Sequence, residues 1–239
     1  FICALCGGNW GIHNAFDDHL IAELTEEFAT LGNRDDVRVI VLAAAGKSFS
    51  AGADLNWMKR MAGYSEQENY ADSVKLAALM RTLNTVPKPT IAAVQGAAFG
   101  GGVGLVSCCD IAVASESAKF CLSEVRLGLI PSAISPYVVA AMGARAARRY
   151  FLTAERFDAV EAKRIGLVHE VVESDALQLK VDEIASAILK GGPIAVSESK
   201  NLIADMDGVT VTDSVLEDTA QRIAQRRASE EGKEGLSAF

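Results

Sequence analysis

Apolar and polar positions along this chain follow two different periods. Residues 37–45 and 90–94 are β-branched, apolar runs, the pattern of strands covered on both faces. Over 17–32, Leu20, Leu24, Phe28 and Leu31 recur at helical spacing, with Asp17 placed to cap the helix. The same reading predicts helices over 54–61, over 66–84 ahead of Val86-Pro87-Lys88-Pro89, and over 103–109. Short strands follow at 111–114 and 119–121, and residues 1–6 are the one candidate strand before the first helix. Strand and helix alternate, so the class is α/β with a mainly parallel sheet. After Pro131 the pattern turns helical, over 135–142, 144–153, 158–165, 176–190, 194–206 and 212–229. Gly143, Gly166, Gly191-Gly192-Pro193 and Gly208 punctuate these segments. The expected organisation is a core over 1–175 and a helical region over 176–239.

Each of the two long strands runs into a turn of small residues. Ser50-Ala51-Gly52-Ala53-Asp54-Leu55 follows the first, and Gly96-Ala97-Ala98-Phe99-Gly100-Gly101-Gly102-Val103-Gly104 follows the second. Without bulky side chains, backbone N–H groups from two adjacent turns can approach one ligand oxygen, which is the arrangement of a main-chain oxyanion hole. A third segment, Ala118-Lys119-Phe120-Cys121-Leu122-Ser123-Glu124-Val125-Arg126-Leu127-Gly128-Leu129-Ile130-Pro131, sets one carboxylate among apolar neighbours. On strand alternation Glu124 either faces outward or sits in an apolar pocket, where burial would suit it to proton transfer.

Together the three segments resemble the enoyl-CoA hydratase/isomerase (crotonase) family, over about residues 13–239. The resemblance implies a ββα-spiral core with a C-terminal helical trimerisation region, and a homo-trimer or dimer of trimers. It implies an acyl-CoA thioester substrate, with the amides of Ala53 and Gly101 on the thioester oxygen and Glu124 as the catalytic carboxylate. Ala51, Asp54 and Leu55 match the loop that holds coenzyme A, largely through backbone groups. Gly100, Trp57 and Ile134 would border the substrate, and Phe239 matches an aromatic that contacts coenzyme A of a neighbouring subunit. The coenzyme is part of the substrate, and no separate cofactor or metal is implied. The family begins with a strand pair, and only twelve residues precede His13 here, so the N-terminus reads as shortened.

One position departs from the two-glutamate hydratases: their other glutamate falls at Gly104. A glycine there would either open room beside the reacting carbons or serve close helix packing. The wording around Gly100–Asp110 and Phe120–Arg126 resembles bacterial methylglutaconyl-CoA and isohexenylglutaconyl-CoA hydratases, which implies a branched glutaconyl-type substrate. The single carboxylate keeps a 3,2-enoyl-CoA isomerase as the alternative, and a non-catalytic acyl-CoA- or RNA-binding member as a third reading.

Composition narrows these options. A net charge of −8 with no lysine- or arginine-rich block argues against a nucleic-acid groove. Arg145, Arg148 and Arg149 read as a solvated helix face. Half the residues are hydrophobic, a slight excess that suits buried subunit interfaces. Cys3 and Cys6 have CxxC spacing without a second pair, so the five cysteines read as free thiols of a reducing, cytoplasmic compartment. Lys88, Pro89 and the glycines interrupt the most apolar stretch, so no membrane span is expected. His13, His19 and His169 are isolated in sequence, without a nucleophile motif beside them.

Overall fold

The computed structural model describes the backbone of residues 2–5 together with residues 13–238. The expectations for Phe1, Cys6 and Phe239 fall outside the described residues. The strands are β1 (Ile2–Leu5), β2 (Val39–Ala43), β3 (Thr90–Val94), β4 (Ala97–Phe99), β5 (Ile111–Ser115), β6 (Lys119–Cys121), β7 (Phe157–Asp158) and β8 (Glu170–Val172). Five of them form a parallel sheet in the order β1-β2-β3-β5-β8. In the smaller sheet, β4 and β6 are parallel and β7 closes it antiparallel. This is the α/β architecture the periodicity predicts.

Alternation along the parallel strands divides the interior. Ile40, Leu42, Ala92, Val94, Ala112 and Ala114 face the main core. Val39, Val41, Ile91, Ala93 and Val113 face the other side, where Val181 and Ala185 of α7 (Leu177–Leu189) cover them. Successive side chains point to opposite faces, and both faces are dry, so the runs are continuously apolar. The main core takes α1 (Asp18–Gly32), α3 (Glu66–Thr85), α4 (Gly101–Cys108) and α5 (Ser135–Thr153). Asp17 caps α1 by accepting from the Leu20 N–H at 2.8 Å, as expected. The division expected at 175/176 therefore falls ahead of a helix that the sheet itself needs.

Three elements differ from the sequence reading. The second glycine-rich stretch contains β4, which pairs with β6 as well as leading into a turn. Residues Glu124–Leu127 form a 3₁₀ turn. A last helix, α10 (Glu230–Ser237), continues past the expected end at 229. At Gly143 the break is as expected, with φ 74° between two helical stretches of α5. Cys108, Cys109 and Cys121 are free and buried. Burial pushes the Cys109 thiol up to about 12, so it stays protonated and inert at neutral pH.

The C-terminal helices α8 (Pro193–Met206), α9 (Asp213–Ala228) and α10 are tied on by polar contacts. Lys200 pairs with Asp110 at 2.8 Å, and the Ser197 hydroxyl donates to Pro87 O at 2.9 Å. The first turn of α8 lacks a side-chain cap of its own. Glu231 supplies one from α10, accepting from the Ile194 and Ala195 N–H groups at 3.0 and 2.8 Å. Burial opposes ionisation of Glu231, but those two amides with Arg226 and Arg38 outweigh it and hold its pKa below the ordinary value. A depressed carboxylate stabilises the fold above its unfolded pKa, and that contribution is lost as pH falls through the folded value. Glu231→Ala is expected to cost about 0.5–2 kcal/mol at neutral pH, the range of a lost helix cap. Urea denaturation of both proteins at neutral and acid pH checks this: the difference should shrink in acid.

Candidate active site

The first turn is built by pairing with residues far away in sequence. Ser50 bridges Ala98 in parallel, its N–H donating to Ala97 O and its carbonyl accepting from Phe99 N–H, both at 2.9 Å. On the other side lies the 13–16 segment, where Ala51 N–H donates to His13 O at 3.0 Å. Phe16 N–H donates to Gly52 O and Phe16 O accepts from Asp54 N–H, both at 2.7 Å, so Phe16 brackets Ala53. A bracketed residue in a parallel ladder turns its own N–H away from its partner. The Asn14 amide donates to Ala45 O and Ser48 O, both at 2.8 Å, which pins the loop ahead of the turn.

Asp54 is buried, and its carboxylate caps α2 (Leu55–Met61) by accepting from the Asn56 and Trp57 N–H groups at 2.9 Å. Its side chain is thus engaged in starting a helix, while Ala51, Ala53 and Leu55 around it are exposed. Trp57 is buried in the main core, the packing role its helical position allows.

In the second turn, Gly100 sits at φ 49° and its N–H donates to Cys121 O at 2.8 Å. A Cβ at Gly100 would be strained by that φ and would lie 3.2 Å from Glu124 Oε1, so the backbone calls for glycine and the carboxylate sits close against it. Gly101 is the first residue of α4, at the end of a helix where N–H groups lack intrahelical partners. Among the described residues, neither the Ala53 nor the Gly101 N–H donates to a protein acceptor.

Glu124 opens the 3₁₀ turn that follows β6, and Gly128 at φ 73° closes that turn. Leu127 and Leu129 are exposed, whereas Glu124 is turned inward like Phe120 and Leu122. Its Oε2 is buried with no hydrogen-bond partner. Desolvation raises the Glu124 pKa, outweighing a backbone hydrogen bond that lowers it. The fold thus brings Glu124 against Gly100, and joins the turns bearing Ala53 and Gly101.

At Gly104 the structure favours the packing alternative. A Cβ there would meet Ile134 Cγ2, with Ile134 Cβ at 2.9 Å and Met80 Cε at 3.2 Å. The room expected beside the reacting carbons is filled by Ile134, itself only 2% exposed. Glycine serves the close packing of α4 on α5 and α3. Ile134 is accordingly a wedge in the core. His13 also differs from its isolated appearance: the fold brings the Ser48 hydroxyl within 3.2 Å of its Nδ1. Phe16 and Asn14 were missed as site residues, because one apolar residue and one turn asparagine carry no chemical signature. Among the described residues, no group of three or more His, Cys, Asp or Glu side chains is placed to hold a metal ion. No helix there is long and apolar enough to cross a membrane.

Residues 10–239 match the family model described as enoyl-CoA hydratase/isomerase. The chain is 34% identical over 229 residues to crotonyl-CoA hydratase of Syntrophomonas wolfei, covering 95% of this chain and 86% of that one. It is 34% identical over 232 residues to short-chain-enoyl-CoA hydratase of Clostridium acetobutylicum, with 95% and 86% covered. Among solved structures, it is similar to a Legionella pneumophila chain whose name places it with enoyl-CoA hydratases/isomerases (crotonases). That likeness has TM-score 0.95 and 49% identity, covering 100% of this chain and 92% of that one.

The packing at Gly104 has a measurable consequence. Gly104→Ala is expected to destabilise the protein by about 1–3 kcal/mol through overpacking, and Ile134→Ala, which removes the Cγ2 that the new methyl meets, should cost less in the Gly104→Ala chain than in the parent. Denaturant titration of the single and double variants measures both.

Proposed function

The chain belongs to the enoyl-CoA hydratase/isomerase family, and from that premise we propose that it adds water across the double bond of a 2-enoyl-CoA. The observation that carries the proposal is Glu124, a desolvated carboxylate with one oxygen free of protein partners. In this reading Glu124 takes a proton from water as the oxygen attacks the β-carbon. Charge then develops on the thioester oxygen, and the amides of Ala53 and Gly101 stabilise that enolate more than the ground state. Glu124 returns the proton to the α-carbon. One carboxylate suffices for both transfers because it is basic when ionised and acidic once protonated. The coenzyme A portion of the substrate lies along the exposed backbone of Ala51 and Leu55, beyond the capped Asp54. The chemistry needs no metal or redox group.

The finer assignment is a branched, glutaconyl-type acyl group, supported by the wording around Gly100 and Glu124. A dianionic substrate would meet a single protein carboxylate here, since the packed Gly104 provides none. We also propose a trimer or dimer of trimers built through the C-terminal helices. None of α8, α9 and α10 carries a fully buried residue, and Ile203, Leu216 and Leu236 are 72%, 61% and 67% exposed.

Four measurements test this reading. Glu124→Gln should lose at least about 100-fold in turnover of crotonyl-CoA or methylglutaconyl-CoA while retaining product binding; a variant keeping most of its turnover overturns the role. Because the base must be ionised and its pKa is raised, kcat/KM should fall toward acid on a limb above the ordinary carboxylate range. A 3-enoyl-CoA consumed faster than both 2-enoyl substrates would instead assign an isomerase. Sedimentation equilibrium should return the mass of three or six chains, and a monomer overturns the assembly.

A further inference from the structure

We infer that Phe16 is a positioning residue that sets the Ala53 and Gly101 amides against each other, an inference that rests on reading those amides as the donors to the thioester oxygen. Phe16 touches both turns by different means. Its backbone brackets Ala53 with two hydrogen bonds of 2.7 Å, which fixes the plane of the Ala53 peptide. Its ring lies against the start of α4: Cε2, Cδ2 and Cζ are 3.0, 3.3 and 3.4 Å from where a Gly101 Cβ would be. One residue therefore sets the orientation of the first amide and the approach of the second.

The surroundings leave Phe16 little freedom. It is 2% exposed, so its ring rotamer is held by packing. Just before it, His13 and Asn14 have φ of 56° and 55°, a left-handed pair that non-glycine residues adopt only when neighbours enforce it. The enforcing contacts are those of His13 O with Ala51 and of the Asn14 amide with Ala45 and Ser48. Just after it, Asp17 starts α1. The turns also meet directly, through the Ser50–Ala98 bridge, where Gly52 lies against Phe99 O, and where a Gly102 Cβ would lie 2.9 Å from Ser50 Cβ. Those contacts fix how close the turns come. The Phe16 ring, further along, fixes how the end of α4 is tilted toward Ala53.

Donors aimed at an oxyanion lose their effect with small displacements, and a misplacement near 1 Å can cost about 100-fold in rate. Removing the ring leaves the backbone bracket on Ala53 intact and frees the first turn of α4 to settle into the vacated space. The loss should then appear in the transition state, where the two amides act together, and little in ground-state binding.

The test uses Phe16→Leu, with Phe16→Met as the closer match in volume should the leucine variant fold poorly, and thermal unfolding to establish folding. Steady-state assays on crotonyl-CoA should show kcat down about 10- to 100-fold with KM changed less than about threefold. The second readout is the infrared stretch of a ¹³C-labelled thioester carbonyl of crotonyl-CoA, bound in a Glu124→Gln background that prevents turnover. The carbonyl should be shifted to low frequency on binding, and Phe16→Leu should reduce that shift. Folded variants that keep both kcat and the shift overturn the role of Phe16 while leaving the two amides in place. A rise in KM at unchanged kcat overturns it equally. No shift in the Glu124→Gln protein itself overturns the reading of the amides, and the positioning role with it.

Discussion

Main-chain pairing between three distant stretches, residues 13–16, 48–54 and 95–100, is the interaction on which the rest of the site depends. Each stretch is too short to be stable alone, and each spends its peptide groups on another: Phe49 N–H on Gln95 O, Ser50 on Ala97 and Phe99, Ala51 on His13, Gly52 and Asp54 on Phe16. The Gln95 side-chain amide adds a further tie to Ala44 O at 2.5 Å. Backbones meet this closely only where side chains are absent, which is why Gly52 and Gly102 have Phe99 and Ser50 against them. A few peptide N–H groups then remain over, at Ala53 and Gly101, pointing where the ladders do not use them. Ala53 is exposed and Gly101 half-buried, so neither N–H needs a protein acceptor to be satisfied.

The electrostatics of Glu124 follow from the same geometry. A carboxylate on a regular strand continuing from β6 would face solvent or the core by alternation. The 3₁₀ turn lays it over Gly100, where one oxygen is buried without a protein donor. Glu161, by contrast, takes both Arg164 and the Tyr150 hydroxyl and is held down at about 2. One carboxylate is paired within the scaffold and depressed, the other left unpaired beside Gly100 and raised. Arg149, from the arginine-rich stretch of α5, belongs to the scaffold too, paired with Glu155 at 2.7 Å.

Much of this was legible in the sequence, and the reason is locality. The continuous apolar runs determined β2 and β3, the 3.6-residue spacing determined α1 and α3, and Gly143 marked the break inside α5. Small residues at 50–54 and 96–104 showed that two backbones had to come close to something, and the apolar frame around Glu124 singled out one carboxylate. What tertiary structure alone decided is how those pieces are set against one another. Gly104 reads equally as room or as a packing position until Ile134, thirty positions on, is found against it. Helix α7 reads as part of a C-terminal bundle until the second face of the sheet is seen to need a cover. Strand β4 is three residues set between glycines that read as a turn, and they form a strand because Ser50 and β6 offer ladders on either side. Phe16 carries no chemical group at all, and its place between Ala53 and Gly101 exists only once all three are folded together. Periodicity and turn chemistry are properties of neighbours along the chain, whereas packing and ladder partners are properties of neighbours in space.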